Sequence, residues 1–287
     1  MAIQKLGVIG AGTMGAGIAQ VAAQSGYHVQ LVEVAQAPLE AGLKTIRRNL
    51  DRAVEKGRLS DEGRSEVLGR LVGSTNLADL ADADVVVEAI VEDFDTKAAL
   101  LAELDRVCKP ETIIASNTSS ISITRLAAST RRADRVIGMH FFNPVPVMKL
   151  VEVISGVETS GDTRAQLLSL AQSMGKTAVE VEDYPGFVCN RLLIPMINEA
   201  AYALMEGVSS PEAIDTVMKL GANHPMGPLE LADLIGLDVC LNIMRVLQEG
   251  TGDDKYRPCP LLVRMVAAGR LGRKVGRGFY NYQEPDR

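Results

Sequence analysis

The chain has 287 residues, 47 % of them hydrophobic, and 30 lysines and arginines stand against 36 aspartates and glutamates for a net charge of −6. At about 100–200 residues per domain this length suits two domains with sizeable cores, and an acidic balance without a long basic run speaks against nucleic acid or an anionic membrane as partner. Cys108, Cys189, Cys240 and Cys259 lie far apart with no C-x-x-C pair, so buried thiols in a reducing, cytoplasmic setting are expected rather than a zinc site or a disulfide framework.

The first element is a short apolar strand, Leu6-Gly7-Val8-Ile9, that breaks into Gly10-Ala11-Gly12-Thr13-Met14-Gly15 and continues as helix. This is the pattern of a dinucleotide turn. Gly10 permits the tight turn, Gly12 admits a pyrophosphate close to the backbone, and Gly15 lets the helix pack on the sheet with its N-terminus toward the phosphates. Gln20 and Gln24 interrupt the apolar stretch soon afterwards, so it does not read as a signal peptide. A second strand, His28-Val29-Gln30-Leu31-Val32-Glu33, ends in a carboxylate about 20 residues on, where a ribose-binding acid is expected. Glu33 would repel a 2′-phosphate, and Val34-Ala35-Gln36 bring no positive charge to offset it, which favours NAD over NADP.

Residues 39–59 read as an amphipathic helix whose polar face carries Lys44, Arg47, Arg48, Arg52 and Lys56. That face is either an ordinary solvated surface or a dock for a phosphorylated ligand. Strand signals at 83–90, 112–117 and 135–140 alternate with helical ones, among them 96–108, and 150–154 and 177–181 extend the series. Strands joined by helices of this length imply right-handed crossovers and a parallel sheet. After Pro185 strand signals vanish. Val188, Leu192, Met196 and Ala200, with Leu193, Ile197, Ala201 and Leu204, line a broad apolar helical face with Pro195 inside it, and Ser210-Pro211 marks a further helix start. The expected fold is α/β, a Rossmann-type doubly wound, mostly parallel sheet over residues 1–184, followed by an all-helical domain over residues 185–287 for substrate binding and dimerisation. No segment reaches the roughly 18 uninterrupted apolar residues of a membrane span.

In an open parallel sheet ligands bind outside the carboxyl ends of the strands. Glu92, the run Asn117-Thr118-Ser119-Ser120, and His140 with Asn143 all fall there. His140 ends one apolar strand and Glu152 lies inside the next. A histidine near a carboxylate can exchange a proton near neutrality while the carboxylate fixes its tautomer; the same two residues could instead be packing between strands. The Asn-Thr-Ser-Ser run could equally cap a helix starting near Ile121. His28 lies at the opposite end of its strand, and His224 in an Asn-His-Pro loop is a second candidate base. No metal ligand set is evident.

Five segments in this order carry a family resemblance: Gly10-Ala11-Gly12-Thr13-Met14-Gly15, Ala115-Ser116-Asn117-Thr118-Ser119-Ser120, Gly138-Met139-His140-Phe141-Phe142-Asn143-Pro144, Pro185-Gly186-Phe187-Val188-Cys189-Asn190-Arg191 and Gly221-Ala222-Asn223-His224-Pro225-Met226-Gly227-Pro228. Over nearly its whole length the chain resembles the 3-hydroxyacyl-CoA dehydrogenase family, most of all its short-chain bacterial members. The resemblance implies an NAD-dependent oxidoreductase of fatty acid or butanoate metabolism that interconverts 3-hydroxybutyryl-CoA and acetoacetyl-CoA; the wide apolar faces of the helical domain suit either packing on the first domain or a twofold partner, and a cytoplasmic homodimer is expected. It further implies that His140 is the general base and Glu152 its orienting partner, that Ser119 and Asn190 hold the reacting oxygens, and that Glu92, Lys97, Asn117, Ser119, Asn143 and Lys274 contact the cofactor. Asn190 opens the helical domain, so the active site is expected between the domains. The family pattern often has Asp at the ribose position, where this chain has the longer Glu33. A catalytically idle NAD-binding relative and a dehydrogenase of sugar acids or other free hydroxy acids are the competing readings.

Overall fold

A computed structural model describes residues 3–283. The chain divides into two compact units, Met1–Asp183 and Tyr184–Arg287. In the first unit the strands are β1 (Lys5–Ile9), β2 (His28–Val32), β3 (Leu71–Ser74), β4 (Val85–Glu88), β5 (Ile113–Ser116), β6 (Val136–Phe141), β7 (Leu150–Ser155) and β8 (Thr177–Glu182). Its helices are α1 (Thr13–Gln24), α2 (Gln36–Glu55), α3 (Asp61–Gly69), α4 (Phe94–Val107), α5 (Ile123–Ala127) and α6 (Gly161–Ser173). The strands form one eight-stranded sheet in the order β3-β2-β1-β4-β5-β6-β7-β8. β4 and β5 are buried at every residue, as expected of strands covered on both faces by helices.

The sheet is parallel except between β6 and β7, which run antiparallel. The expected parallel continuation through 150–154 therefore fails at that pair. Residues 142–149 are too few for a crossover, which takes a dozen or more, so the chain has to double back. The basic helix begins and ends earlier than the 39–59 window. It buries Leu39, Gly42, Ile46 and Leu50 and leaves Lys44, Arg47, Arg48, Arg52 and Lys56 exposed. Two elements carry no clear sequence signal: α3, short and mostly polar, and β3, four residues long with none of them fully buried.

The second unit is helical: α7 (Cys189–Met205), α8 (Pro211–Gly221), α9 (Pro228–Ile235), α10 (Leu237–Thr251) and α11 (Pro260–Ala267). α7 runs through Pro195. It turns Ile194, Ile197 and Ala201 into a core shared with Leu237, Leu241, Met244, Leu247 and Leu262. Leu192, expected on the broad apolar face, is 69 % exposed, so only part of that face packs within the unit. Ser210 caps α8 by accepting from the Ala213 amide at 3.3 Å, as its Ser-Pro start predicts. After α11 the chain is tied down by Asp233, a buried carboxylate that accepts from the amides of Phe279 and Tyr280 at 2.9 Å each. Burial raises the Asp233 carboxyl above its ordinary range despite these donors.

Candidate active site

The dinucleotide turn forms as its glycines require. Gly10 has φ of +95°, a left-handed conformation that L side chains rarely adopt, and a Cβ on Gly15 would lie 1.8 Å from the Gly10 carbonyl oxygen. A Cβ on Gly12 would meet nothing within 4 Å, so the backbone there faces open space. α1 starts at Gly12 without a side-chain cap, and Thr13, Met14 and Gly15 present the first helical amides, which suits an anionic group. Glu33 is locked at the end of β2. Its Oε2 accepts from the Ala11 amide and its Oε1 from the Val34 amide, both at 2.8 Å. Each carboxylate oxygen keeps a second lone pair for a ribose hydroxyl. The residues present thus fit a dinucleotide. A cleft of about 430 Å³ adjoins the turn, lined by Gly12, Thr13, Gly17, Thr45, Arg48, Asn49 and the Asn143–Pro146 segment.

His140 and Glu152 are brought together by the strand reversal that the sequence did not foresee. The antiparallel register places them directly opposite each other, the arrangement in which side chains on one face meet. His140 Nδ1 lies 2.8 Å from Glu152 Oε2, and both residues are buried. The Phe142 ring is tilted against the imidazole with centroids 4.6 Å apart. With Nδ1–H donating to the carboxylate, the neutral ring carries its lone pair on Nε2, the atom that can accept a proton.

The Asn117–Ser120 turn follows β5 and is held by Glu92. Glu92 Oε1 accepts from the Thr118 hydroxyl at 2.6 Å, the Ser119 amide at 2.8 Å and the Ser119 hydroxyl at 3.1 Å. Burial pushes the Glu92 carboxyl up, but the Lys97 ammonium and these donors bring it below the usual carboxylate range. The alternative of a helix cap does not hold for this run, because α5 starts two residues later than the sequence suggested and its cap is Ser122, which accepts from the Arg125 amide. Asn117 Oδ1 accepts from the Phe141 amide at 2.9 Å and so fixes the end of β6 beside His140. Lys97 is 1 % exposed and pairs with Glu88 and Glu92.

Asn190, in the first turn of α7, is buried. Lys274 forms an ion pair with Asp238, with Nζ 2.5 Å from Oδ1. His28 is exposed at the start of β2, and His224 is half-buried in the loop between α8 and α9. Cys108 and Cys240 are buried, which raises their thiols to about 11 and about 12. Among the described residues no group of three or more His, Cys, Asp or Glu is placed to hold a metal ion, and no helix is long and apolar enough to cross a membrane.

Two residues escaped the sequence reading. Lys176, just after α6, donates to the carbonyls of Val145 and Met148 at 2.5 and 2.8 Å and clamps the loop that joins β6 to β7 and carries Asn143. Nothing in its sequence context marks it. Glu88, buried at the end of β4, could have been found as a carboxylate inside the apolar run Val85-Val86-Val87-Glu88-Ala89-Ile90.

Residues 5–184 match the family profile described as 3-hydroxyacyl-CoA dehydrogenase, NAD binding domain, and residues 186–282 match the C-terminal domain of the same family. A probable 3-hydroxybutyryl-CoA dehydrogenase of Bacillus subtilis is 57 % identical over 284 residues, covering 99 % of each chain. The 3-hydroxybutyryl-CoA dehydrogenase of Bradyrhizobium diazoefficiens is 56 % identical over 281 residues, covering 98 % of this chain and 96 % of its own. The crystal structure of an (S)-3-hydroxybutyryl-CoA dehydrogenase from Ralstonia eutropha matches with a TM-score of 0.97 at 52 % identity, over 99 % of this chain and 100 % of that one. With a nucleotide turn fitted to NAD and both family domains matched in order, the chain belongs to the 3-hydroxyacyl-CoA dehydrogenase family and is an NAD-dependent oxidoreductase acting on the CH–OH group of its substrate.

Proposed function

We propose that the protein interconverts 3-hydroxybutyryl-CoA and acetoacetyl-CoA, in fatty acid or butanoate metabolism, as a cytoplasmic homodimer. The observation that carries the reading is the buried His140–Glu152 pair at 2.8 Å on the strand end nearest the Asn117–Ser120 turn. A nicotinamide cofactor held at the dinucleotide turn would supply the two-electron acceptor for the hydride of the substrate's C3. His140 Nε2 takes the proton of the 3-hydroxyl as that C–H bond breaks, and Glu152 stabilises the imidazolium formed. Ser119 and Asn190 hold the reacting oxygens, whose charge changes during the transfer, so fixed donors there favour the transition state. Glu33, Glu92, Lys97, Asn117, Asn143 and Lys274 serve the cofactor, Lys97 by holding Glu92 in place. Lys44, Arg47, Arg48, Arg52 and Lys56, all exposed along α2, offer cationic contacts to the phosphates of coenzyme A.

If binding energy from the coenzyme A part is used in catalysis, removing it should lower turnover as well as affinity. Acetoacetyl-CoA should therefore be reduced by NADH with a kcat/KM at least about 10³-fold above that of free acetoacetate, equivalent to about 4 kcal/mol of transition-state binding. Comparable values for the two would move the reading to a dehydrogenase of free hydroxy acids.

A further inference from the structure

Glu88 has no part in the mechanism above, yet it lies deeper than any residue that does. It closes β4 at 0 % exposure behind Val85, Val86 and Val87. A carboxylate so far from water persists only when paired and hydrogen-bonded. Its Oε1 accepts from the Ile90 amide at 2.9 Å and from Lys97 Nζ, and its Oε2 accepts from the Ser116 hydroxyl at 2.7 Å. Lys97, in the first turn of α4, carries its ammonium between two carboxylates: Glu88 on one side and Glu92 Oε2, at 3.4 Å, on the other. The opposite oxygen of Glu92 receives both the amide and the hydroxyl of Ser119. A second route runs through Ser116, whose hydroxyl accepts from the Thr118 amide at 3.3 Å. Glu88 therefore reaches the Ser119 turn from two directions.

We infer that Glu88 is a positioning residue for Ser119, acting through Lys97 and Glu92; the inference rests on the proposed role of Ser119 as a hydrogen-bond partner of the reacting oxygen. The physical reason is a balance of attractions in a place of low dielectric. Glu88 holds the Lys97 ammonium in direct contact, while Glu92 Oε2 stands off at 3.4 Å and is drawn to it less strongly. Neutralising Glu88 leaves Glu92 as the sole counter-charge. The ammonium and the Glu92 carboxylate then close on each other, and Glu92 Oε1 moves off the amide and hydroxyl of Ser119. Ser119 thereby loses the Glu92 acceptor for its amide and hydroxyl, which costs rate where the direction of that hydroxyl matters.

The test is a double-mutant cycle on acetoacetyl-CoA reduction by NADH, with Glu88→Gln, Ser119→Ala and the two combined in the full chain. Glu88→Gln alone should lower kcat at saturating NADH about tenfold, the scale of one charge-assisted hydrogen bond. Glu88→Asp, which keeps the charge, should recover part of that loss. In the Ser119→Ala background the Glu88 substitution should cost less than about twofold, because residues that act through one another are not additive. Should Glu88→Gln fail to fold, Glu88→Asp enters the same cycle, and its smaller loss of kcat should likewise fall below about twofold in the Ser119→Ala background. A wild-type kcat for Glu88→Gln, or losses that multiply with a slow Ser119→Ala, would overturn the inference alone. A Ser119→Ala variant of unchanged kcat would overturn the reading of Ser119 and the inference with it.

Discussion

At the scale of single residues the chemistry depends on one ring and one carboxylate. His140 must be neutral to take a proton during oxidation and protonated to give one during reduction, so oxidative kcat/KM should rise with pH while the reductive value falls. Glu152 Oε2 lies 2.8 Å from His140 Nδ1 and fixes the tautomer and orientation of the ring. Glu152→Gln should lower the maximal rate because the ring loses the carboxylate that orients it. His140→Gln should cost roughly 10²–10⁴-fold in kcat, the usual contribution of a positioned acid or base. Both variants should keep the wild-type far-UV circular dichroism. Near-normal activity of His140→Gln would shift attention to His224, and an unchanged maximal rate for Glu152→Gln would mean that the pair is only packing.

At the scale of elements, charged groups tie the ends of helices and strands together. The C-terminus of α4 is capped by Arg132, which donates to the carbonyls of Asp105, Cys108 and Lys109 at 2.8, 3.2 and 2.6 Å and to the Asp105 carboxylate at 2.7 Å. Cations at the carboxyl end of a helix also complement its dipole. Burial pushes the Asp105 carboxyl up, but its hydrogen bonds from Arg131 and Arg132 hold it below the ordinary range. A carboxyl depressed in the folded state stabilises the protein above its unfolded pKa of about 3.9, and that contribution is lost as pH falls through the folded value. Asp105→Asn should lower stability by about 2 kcal/mol at pH 7, on the scale of hydrogen bonds to charged groups. In urea unfolding the gap between variant and wild type should narrow steadily below pH 4. A gap independent of pH would mean that the carboxylate charge contributes nothing.

At the scale of the whole molecule, the second unit leaves apolar side chains in contact with water. Val188, Leu192, Val217 and Leu220 are 48, 69, 66 and 82 % exposed. Large apolar side chains left exposed on α7 and α8 suit an interaction face, and a second copy of the chain through a twofold axis is the proposed occupant. Light scattering at micromolar concentration should give twice the 30.7 kDa chain mass, and Leu192→Glu combined with Leu220→Glu should shift it toward one chain. A wild-type monomer mass under those conditions would rule out the dimer.

Local physics was sufficient for the parts of this protein that depend on neighbours in sequence. The glycines of the turn after β1, the carboxylate that ends β2, the Ser-Pro start of α8 and the change from strands to helices near Pro185 all follow from backbone freedom, capping and periodicity. His140 and Glu152 were legible as candidates for the same reason, since each is a polar residue in an apolar strand. That they form a pair was decided by the fold: the reversal between β6 and β7 sets them in register, and a parallel continuation would have set other residues opposite. Glu92 facing Ser119, Lys97 buried between two carboxylates and Lys176 clamping the loop at Val145 are also long-range facts. A charged side chain in the sequence carries no sign of which distant carbonyl or carboxylate will meet it, because burial and partner are set only when the sheet assembles.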